Sequence, residues 1–317
     1  MSDLVAPLLE AAVLAPSSHN TQPWIFERVS PTRVRLLADR RRALPVNDPH
    51  DRELTISCGC ALTNLRVAAA ARGLAVSVET EPFEADPDRL AEVELGAGRA
   101  EPELAPLAEA ISTRRTCRDP FAEGTVSGGT LAGLAEAAEA EGAWLRPVEG
   151  EGEREAVAAL VAEGDRLQWD DPRWRRELAA WLHPRREGDG LTVPGLVAPV
   201  ARLIVRGFDM GGRVGAKDAG LAAESPALAM LGTDGDAPED WLAAGQALQR
   251  VLLTAAAEGV QASYLNQPIQ VEALRPRLAE ALGLKGAPQI LLRLGVPEET
   301  PEASPRRPLG AVTSEAG

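Results

Sequence analysis

Residues 59–77 read GCALTNLRVAAAARGLAVS, and residues 245–263 read GQALQRVLLTAAAEGVQAS. The two stretches align without a gap at a spacing of 186. The leading glycine, the Ala-Leu pair, the triple alanine, the closing glycine and the final serine coincide. Alanine-rich helices match readily by composition alone. Both stretches, however, also close on a glycine, one apolar residue and a strand-like run, and glycine past the last periodic residue is a helix stop signal. Segments 51–72 and 238–258 therefore read as long helices whose small alanine faces permit close packing. Upstream, LLEAAVLA (8–15) resembles LAGLAEAAEA (131–140), and each leads into a strand holding Trp24 or Trp144. The pattern predicts an α+β fold made of two copies of one unit fused in tandem. The halves are 1–100 and 101–317, intertwined around a pseudo-twofold core of the two long helices.

Working outward, residues 3–15 read as a helix with Leu4, Leu8, Leu9, Ala12 and Val13 on one face, capped by Ser2 and ended by Pro16. WIFERVS (24–30) and RVRLLAD (33–39) read as a hairpin around Pro31-Thr32. LAVSVET (74–80) and LAEVELG (90–96) read as strands, and 96–103 as a linker. Helices are expected at 104–116 and 128–141, a strand at 143–148, two helices within 153–182, and a strand at PQILLRLG (288–295), followed by an irregular tail. Segment 184–222 differs: it holds eight glycines and three prolines around the apolar run VAPVARLIV (197–205). Long, Gly-rich and partly apolar, it reads as a lid.

The chain has 317 residues and a formal net charge of -14, which argues against a nucleic-acid or anionic-membrane partner, since both require a basic surface. No stretch reaches the length of a bilayer span. The N-terminus MSDLVAPLLE has no basic region of a signal peptide. Cys58, Cys60 and Cys117 form no disulfide framework, which suggests a reducing compartment, so a cytoplasmic protein is expected.

The common catalytic motifs HExxH, GxSxG and GxxxxGK[ST] are absent, and there are only three histidines, His19, His50 and His183. Such scarcity fits an enzyme whose chemistry is carried by a bound cofactor. Two stretches offer binding groups. LAPSSHNTQPW (14–24) crowds more short hydrogen-bonding residues before a strand than a plain turn needs. ISTRRTCRDPF (111–121) sets Arg114, Arg115 and Arg118 beside Thr116, a group suited to phosphate or, equally, to a helix C-terminus. SPRRPLG (304–310) adds Arg306 and Arg307, either as further phosphate partners or as a solvated tail. His19 reads as a hydrogen-bonded loop residue or as a group facing the ligand. Trp24 reads as a core anchor, and Trp169, Trp174 and Trp181 read as packing.

APSSHNTQPW resembles the strand-leading loop of the FMN-dependent nitroreductase family, and RRTCR resembles that family's arginine-rich FMN phosphate motif. The chain is most similar to the Acg-type branch, in which one chain carries two nitroreductase-like halves. The resemblance implies mixed sheets flanked by helices. It also implies a flavin cradle in which Ser17, Ser18 and Asn20, with Gln22 as a further candidate, contact the ring and ribityl chain, while Pro16 sets the loop. Arg114, Thr116, Arg118 and the adjacent Arg115 would hold ribityl and phosphate, completed by Arg306 or Arg307. Asn266-Gln267 stands where the family places a Glu-Gly pair near flavin N5, so a backbone N–H would serve there. The first copy keeps the loop and lacks the arginines, and the second does the reverse. One site per chain is implied, and a monomer becomes possible. The expected activity is NAD(P)H-dependent reduction of a small-molecule substrate through FMN, with NADPH or NADH as transient reductant. The alternative is an FMN-sequestering protein closed by 184–222.

Overall fold

The computed structural model describes residues 4–80, 86–184, 188–195, 197–207 and 210–316. Ser2, the expected first cap, lies outside them, as do 185–187, 196, 208 and 209 of the expected lid. The first half supplies helix α1 (Ala6–Ala12), strands β1 (Trp24–Arg28) and β2 (Arg33–Ala38), helix α2 (Arg52–Ala70), and strands β3 (Val76–Glu79) and β4 (Arg89–Leu95). The second half opens with a 3-10 turn and helix α3 (Ala108–Thr113), then α4 (Gly128–Glu139), β5 (Trp144–Pro147), α5 (Glu151–Asp170) and α6 (Pro172–Ala180). There follow β6 (Leu182–Pro184), β7 (Leu191–Val193), α7 (Ala198–Gly207), α8 (Gly211–Glu224), β8 (Ala227–Thr233) and α9 (Pro238–Ala257). The chain ends with β9 (Gln261–Tyr264), α10 (Gln267–Gln270), α11 (Arg275–Ala281), β10 (Ala287–Gly295) and β11 (Thr313–Glu315).

Two principal sheets result. The first has the order β11-β1-β2-β4-β3 and the second β5-β8-β10-β9. β1 and β2 form the expected antiparallel hairpin, Trp24 opposite Ala38. β11, from the far end of the sequence, adds to β1 in parallel, Phe26 opposite Thr313. The tail is therefore not irregular throughout: β11 returns to the sheet built by residues 24–95. β8 was not anticipated. Its run ALAMLGT is buried at every position and sits between β5 and β10.

The two long helices pack through their leading glycines. A Cβ on Gly245 would lie 2.1 Å from Ile56 O, one on Gly59 would lie 2.4 Å from Leu242 O, and each would lie 2.9 Å from the other glycine's Cα. Only two glycines let these backbones approach so closely. Thr63 Oγ1 donates to Gln246 O, and Gln249 Nε2 donates to Asn64 Oδ1, across the same seam. Beside it, Arg66 donates to Glu101, Glu141 and Gln246 Oε1, tying the first half's helix to the second half.

Segment 184–222 holds regular elements. It contributes β7, α7 and most of α8, and α8 packs on α5, where Gly215 comes close to Ala162 and Asp165. The turn at 188–190 is fixed to the first half by main-chain and side-chain bonds. Gly190 N donates to Asn20 O, Asn20 Nδ2 donates to Gly190 O, Gln22 Nε2 donates to Gly188 O at 2.9 Å, and Arg42 pairs with Asp189.

Candidate active site

The loop 16–22 takes its shape from its own short side chains. Ser17 Oγ accepts from Gln22 N at 2.9 Å and closes the turn. His19, Asn20 and Gln22 hold φ of 48°, 54° and 52°. Three non-glycine residues in the left-handed region within four positions is a strained arrangement of the kind that collects at functional sites. The arginine segment departs from the expected helix 104–116. The helix stops at Thr113, and Arg114 turns extended at ψ 128°. Gln261 Oε1 then captures Arg115 N, and Cys117 N donates to Ala262 O, so residues 114–118 run alongside β9.

These two segments face one cavity of about 410 Å³, within the range of small-molecule and cofactor sites. Pro16, Ser17, Ser18, Asn20, Arg114, Thr116, Arg118, Asn266, Gln267 and Arg306 all line it. Gln22, Arg115 and Arg307 are not among the lining residues. Gln22 is fully buried and clamps Arg307, taking a bond from Arg307 N at its Oε1 and one from Arg307 Nη1 at its carbonyl. Arg115 Nη1 folds back onto Ser112 O and Arg114 O. His19 does line the cavity; burial pushes its imidazole down to about 4, and Nδ1 has no partner among the described residues.

One part of the wall is cationic. Arg114 is buried, and its Nε and Nη1 have no partner among the described residues. Arg306 is half-buried and holds Leu14 O, Ala15 O and Asn20 Oδ1, with Nε unpartnered among the described residues. Arg118 stays at the solvent-exposed rim. Burial, reinforced by Arg114 and Arg115, brings Arg306 down to about 9. The ionisable groups acting on Arg114 are Tyr264, Cys60 and Arg115, and those acting on Arg306 are Arg114, Arg115 and Tyr264. No carboxylate of the described residues is among them. Buried cations without a counter-ion are costly, and an anionic ligand relieves that cost.

The other part of the wall is acidic and amidic, and the sequence reading missed it. Glu53, buried in the first turn of α2, accepts from Ser18 Oγ at 2.6 Å, from Gln270 Nε2 at 3.0 Å and from Arg52 Nη2 at 3.3 Å. Asn266 spends its side chain on Glu53 Oε1 and on Leu291 N, and Gln267 spends its own on Asp165 and Asp218. The Asn266 side chain and Gln267 Nε2 are thus engaged by the protein, while the buried Gln267 Oε1 has no partner among the described residues. Asp165 lies in register with Val157, Leu160, Val161 and Gln168 on the buried face of α5. A carboxylate on an apolar stripe was the sequence signal for it. Burial, aided by Asp218, pushes Asp165 up to about 7. Trp169 and Trp174 meet edge to face at 5.5 Å and line the same cavity, so they are wall as well as packing. Trp24, by contrast, is a fully buried core anchor.

The Nitroreductase family model matches residues 197–296. A Mycobacterium tuberculosis (strain ATCC 25618 / H37Rv) protein provisionally named NAD(P)H nitroreductase Rv3131 is 35% identical over 321 residues, covering 98% of this chain and 91% of the relative. The acg protein of the same strain, also provisionally named an NAD(P)H nitroreductase, is 30% identical over 98% of this chain and 95% of its own length. Among solved structures, the FMN and NADPH-dependent nitroreductase NfnB from Sphigopyxis sp. strain HMH aligns with a TM-score of 0.46 at 20% identity, over 67% of this chain and 99% of that one. On the strength of the full-length relatives, this chain belongs to the nitroreductase family.

Proposed function

We propose that the cavity binds one FMN and that the protein is an NAD(P)H-dependent oxidoreductase acting on a small molecule. The observation that carries this is the orphaned guanidinium edge of Arg114, buried beside Arg306 and rimmed by Arg118, opposite the 16–20 loop. Such a cationic wall fits the phosphate of FMN, with the Thr116 hydroxyl beside it. Ser18 has committed its only proton to Glu53, so toward a ligand it offers a lone pair and suits an N–H donor of the flavin ring. The Asn266 side chain and Gln267 Nε2 are engaged elsewhere, which leaves Gln267 Oε1 and backbone N–H groups to meet the ring there. Bound FMN would supply the chemistry of accepting a hydride from NADPH or NADH and passing two electrons on. The protein contributes position, electrostatics and exclusion of water. The relatives' names point to reductases and give no support to the sequestering alternative.

The same reading includes a tandem pseudo-dimer. Gly59 and Gly245, equivalent at the spacing of 186, meet each other at the helix seam. The loop from residues 1–100 and the arginines from 101–317 then complete a single site.

Fluorescence titration of Arg114→Ala with Arg118→Ala should show a loss of FMN affinity of roughly 100-fold or more, from two charge-assisted contacts at about 1.5–3 kcal/mol each. Full retention of affinity would refute the phosphate assignment.

A further inference from the structure

Asp165 and Asp218 both line the cavity, and neither has a task in flavin binding. They come from different helices, α5 and α8, and a single amide joins them. Gln267 Nε2 reaches both Asp165 oxygens at 3.3 Å and Asp218 Oδ2 at 2.8 Å. Gly164 makes room for this, because a Cβ there would lie 2.7 Å from Gln267 Cβ. Two carboxyl groups sharing one donor do not both ionise cheaply, so the pair favours holding a proton. Among the described residues, the charged groups acting on the pair are Lys217 and Arg293, both on Asp218, while Asp165 feels Asp218 and the Gln267 amide. Trp169, one turn beyond Asp165 on α5, joins Trp174 to give an aromatic wall beside the carboxyl.

We propose that the Asp165–Asp218 pair stores a proton in the cavity, and that Asp165 delivers it to the oxygen of a neutral aromatic carbonyl acceptor of the quinone class. The proposal rests on the flavin reading above. NAD(P)H supplies the two electrons as hydride. As the quinone gains that hydride equivalent, one of its oxygens becomes anionic. The Asp165 O–H bond breaks, an O–H bond forms on the acceptor, and Asp165 is left as the carboxylate. Water restores its proton, so one NAD(P)H and one proton convert one quinone to one hydroquinone. The carboxylates near this wall disfavour anionic acceptors.

The test uses the FMN-loaded protein, reduced anaerobically with NADPH and mixed with menadione in stopped flow. In the wild type, the rate of menadione reduction should fall as pH rises through about 7. Asp165→Asn should slow that step on the order of 10²-fold and flatten the profile. FMN affinity, read by fluorescence, should be retained, which separates loss of the proton from loss of the cofactor. Asp218→Asn, the second variant, removes the repelling charge and should move the wild-type profile to lower pH. Infrared titration without flavin should show a protonated carboxyl band that bleaches through neutral pH and is missing in Asp165→Asn. An unshifted pH profile in both variants, or no such band in the wild type, overturns the proposal. Because the infrared measurement needs no flavin, it decides the pair even if the flavin reading fails.

Discussion

Asp165 stands on the apolar stripe of its helix, and this position has a cost. Its carboxyl is raised from an ordinary 3.8 to about 7 by burial and by Asp218. The folded protein therefore holds a proton that the unfolded chain releases between about pH 4 and 7. Stability must fall as pH rises through that window. Asp165→Asn keeps an acceptor for Gln267 and removes the penalty. The variant should gain about 1–3 kcal/mol over the wild type at pH 8 and almost nothing at pH 4, measured by urea unfolding at both pH values. Glu53 contrasts with it. Arg52, Ser18, Asn266 and Gln270 all donate to it, so a buried carboxylate organises residues from three parts of the chain. The 16–20 loop was legible because short polar residues ahead of an aromatic are a local signal. Glu53 and Asp165 were not, because their meaning depends on what lies across the cavity.

At the scale of elements, the seam between α2 and α9 decides the architecture. Gly245→Ala would place a methyl 2.1 Å from Ile56 O, against backbone that cannot rotate away. The expected cost is about 3 kcal/mol, seen as a lower urea midpoint with an unchanged slope. A cost below 1 kcal/mol would mean that the helices can separate without penalty. The arginine segment shows the opposite case, in which the sequence suggested a helix and a neighbour overrode it. Gln261 at the start of β9 takes the amide of Arg115 and draws 114–118 into an extended run. That conformation brings Arg114, Thr116 and Arg118 to the cavity while Arg115 folds back to its own backbone. In segment 184–222 glycines mask helical periodicity, yet α7 and α8 form there, and the side of α8 carrying Val214, Asp218 and Leu221 walls the cavity.

At the scale of the whole molecule, the chain threads back on itself. β11 joins β1, and Arg306 grips the carbonyls of Leu14 and Ala15, so the end of the described chain helps build the first half's loop. With one loop and one arginine segment per chain, saturation by FMN should come at one flavin per chain in a spectrophotometric titration. Two per chain would rule out complementary loss between the halves. Among the described residues, no helix is long and apolar enough to cross a membrane.

The α+β class, the paired long helices, the loop at 14–24 and the arginine motif could be read from the order of residues. Helix periodicity, turn chemistry and guanidinium chemistry act over a few positions, so they leave a mark in any single stretch. The burial of β8, the return of β11, the diversion of Gln22 and Arg307 into a mutual clamp, and the meeting of Asp165 with Asp218 came only with the tertiary structure. Each joins residues far apart in sequence, and whether a carboxyl there is a solvated charge or a stored proton depends on the water that its neighbours exclude.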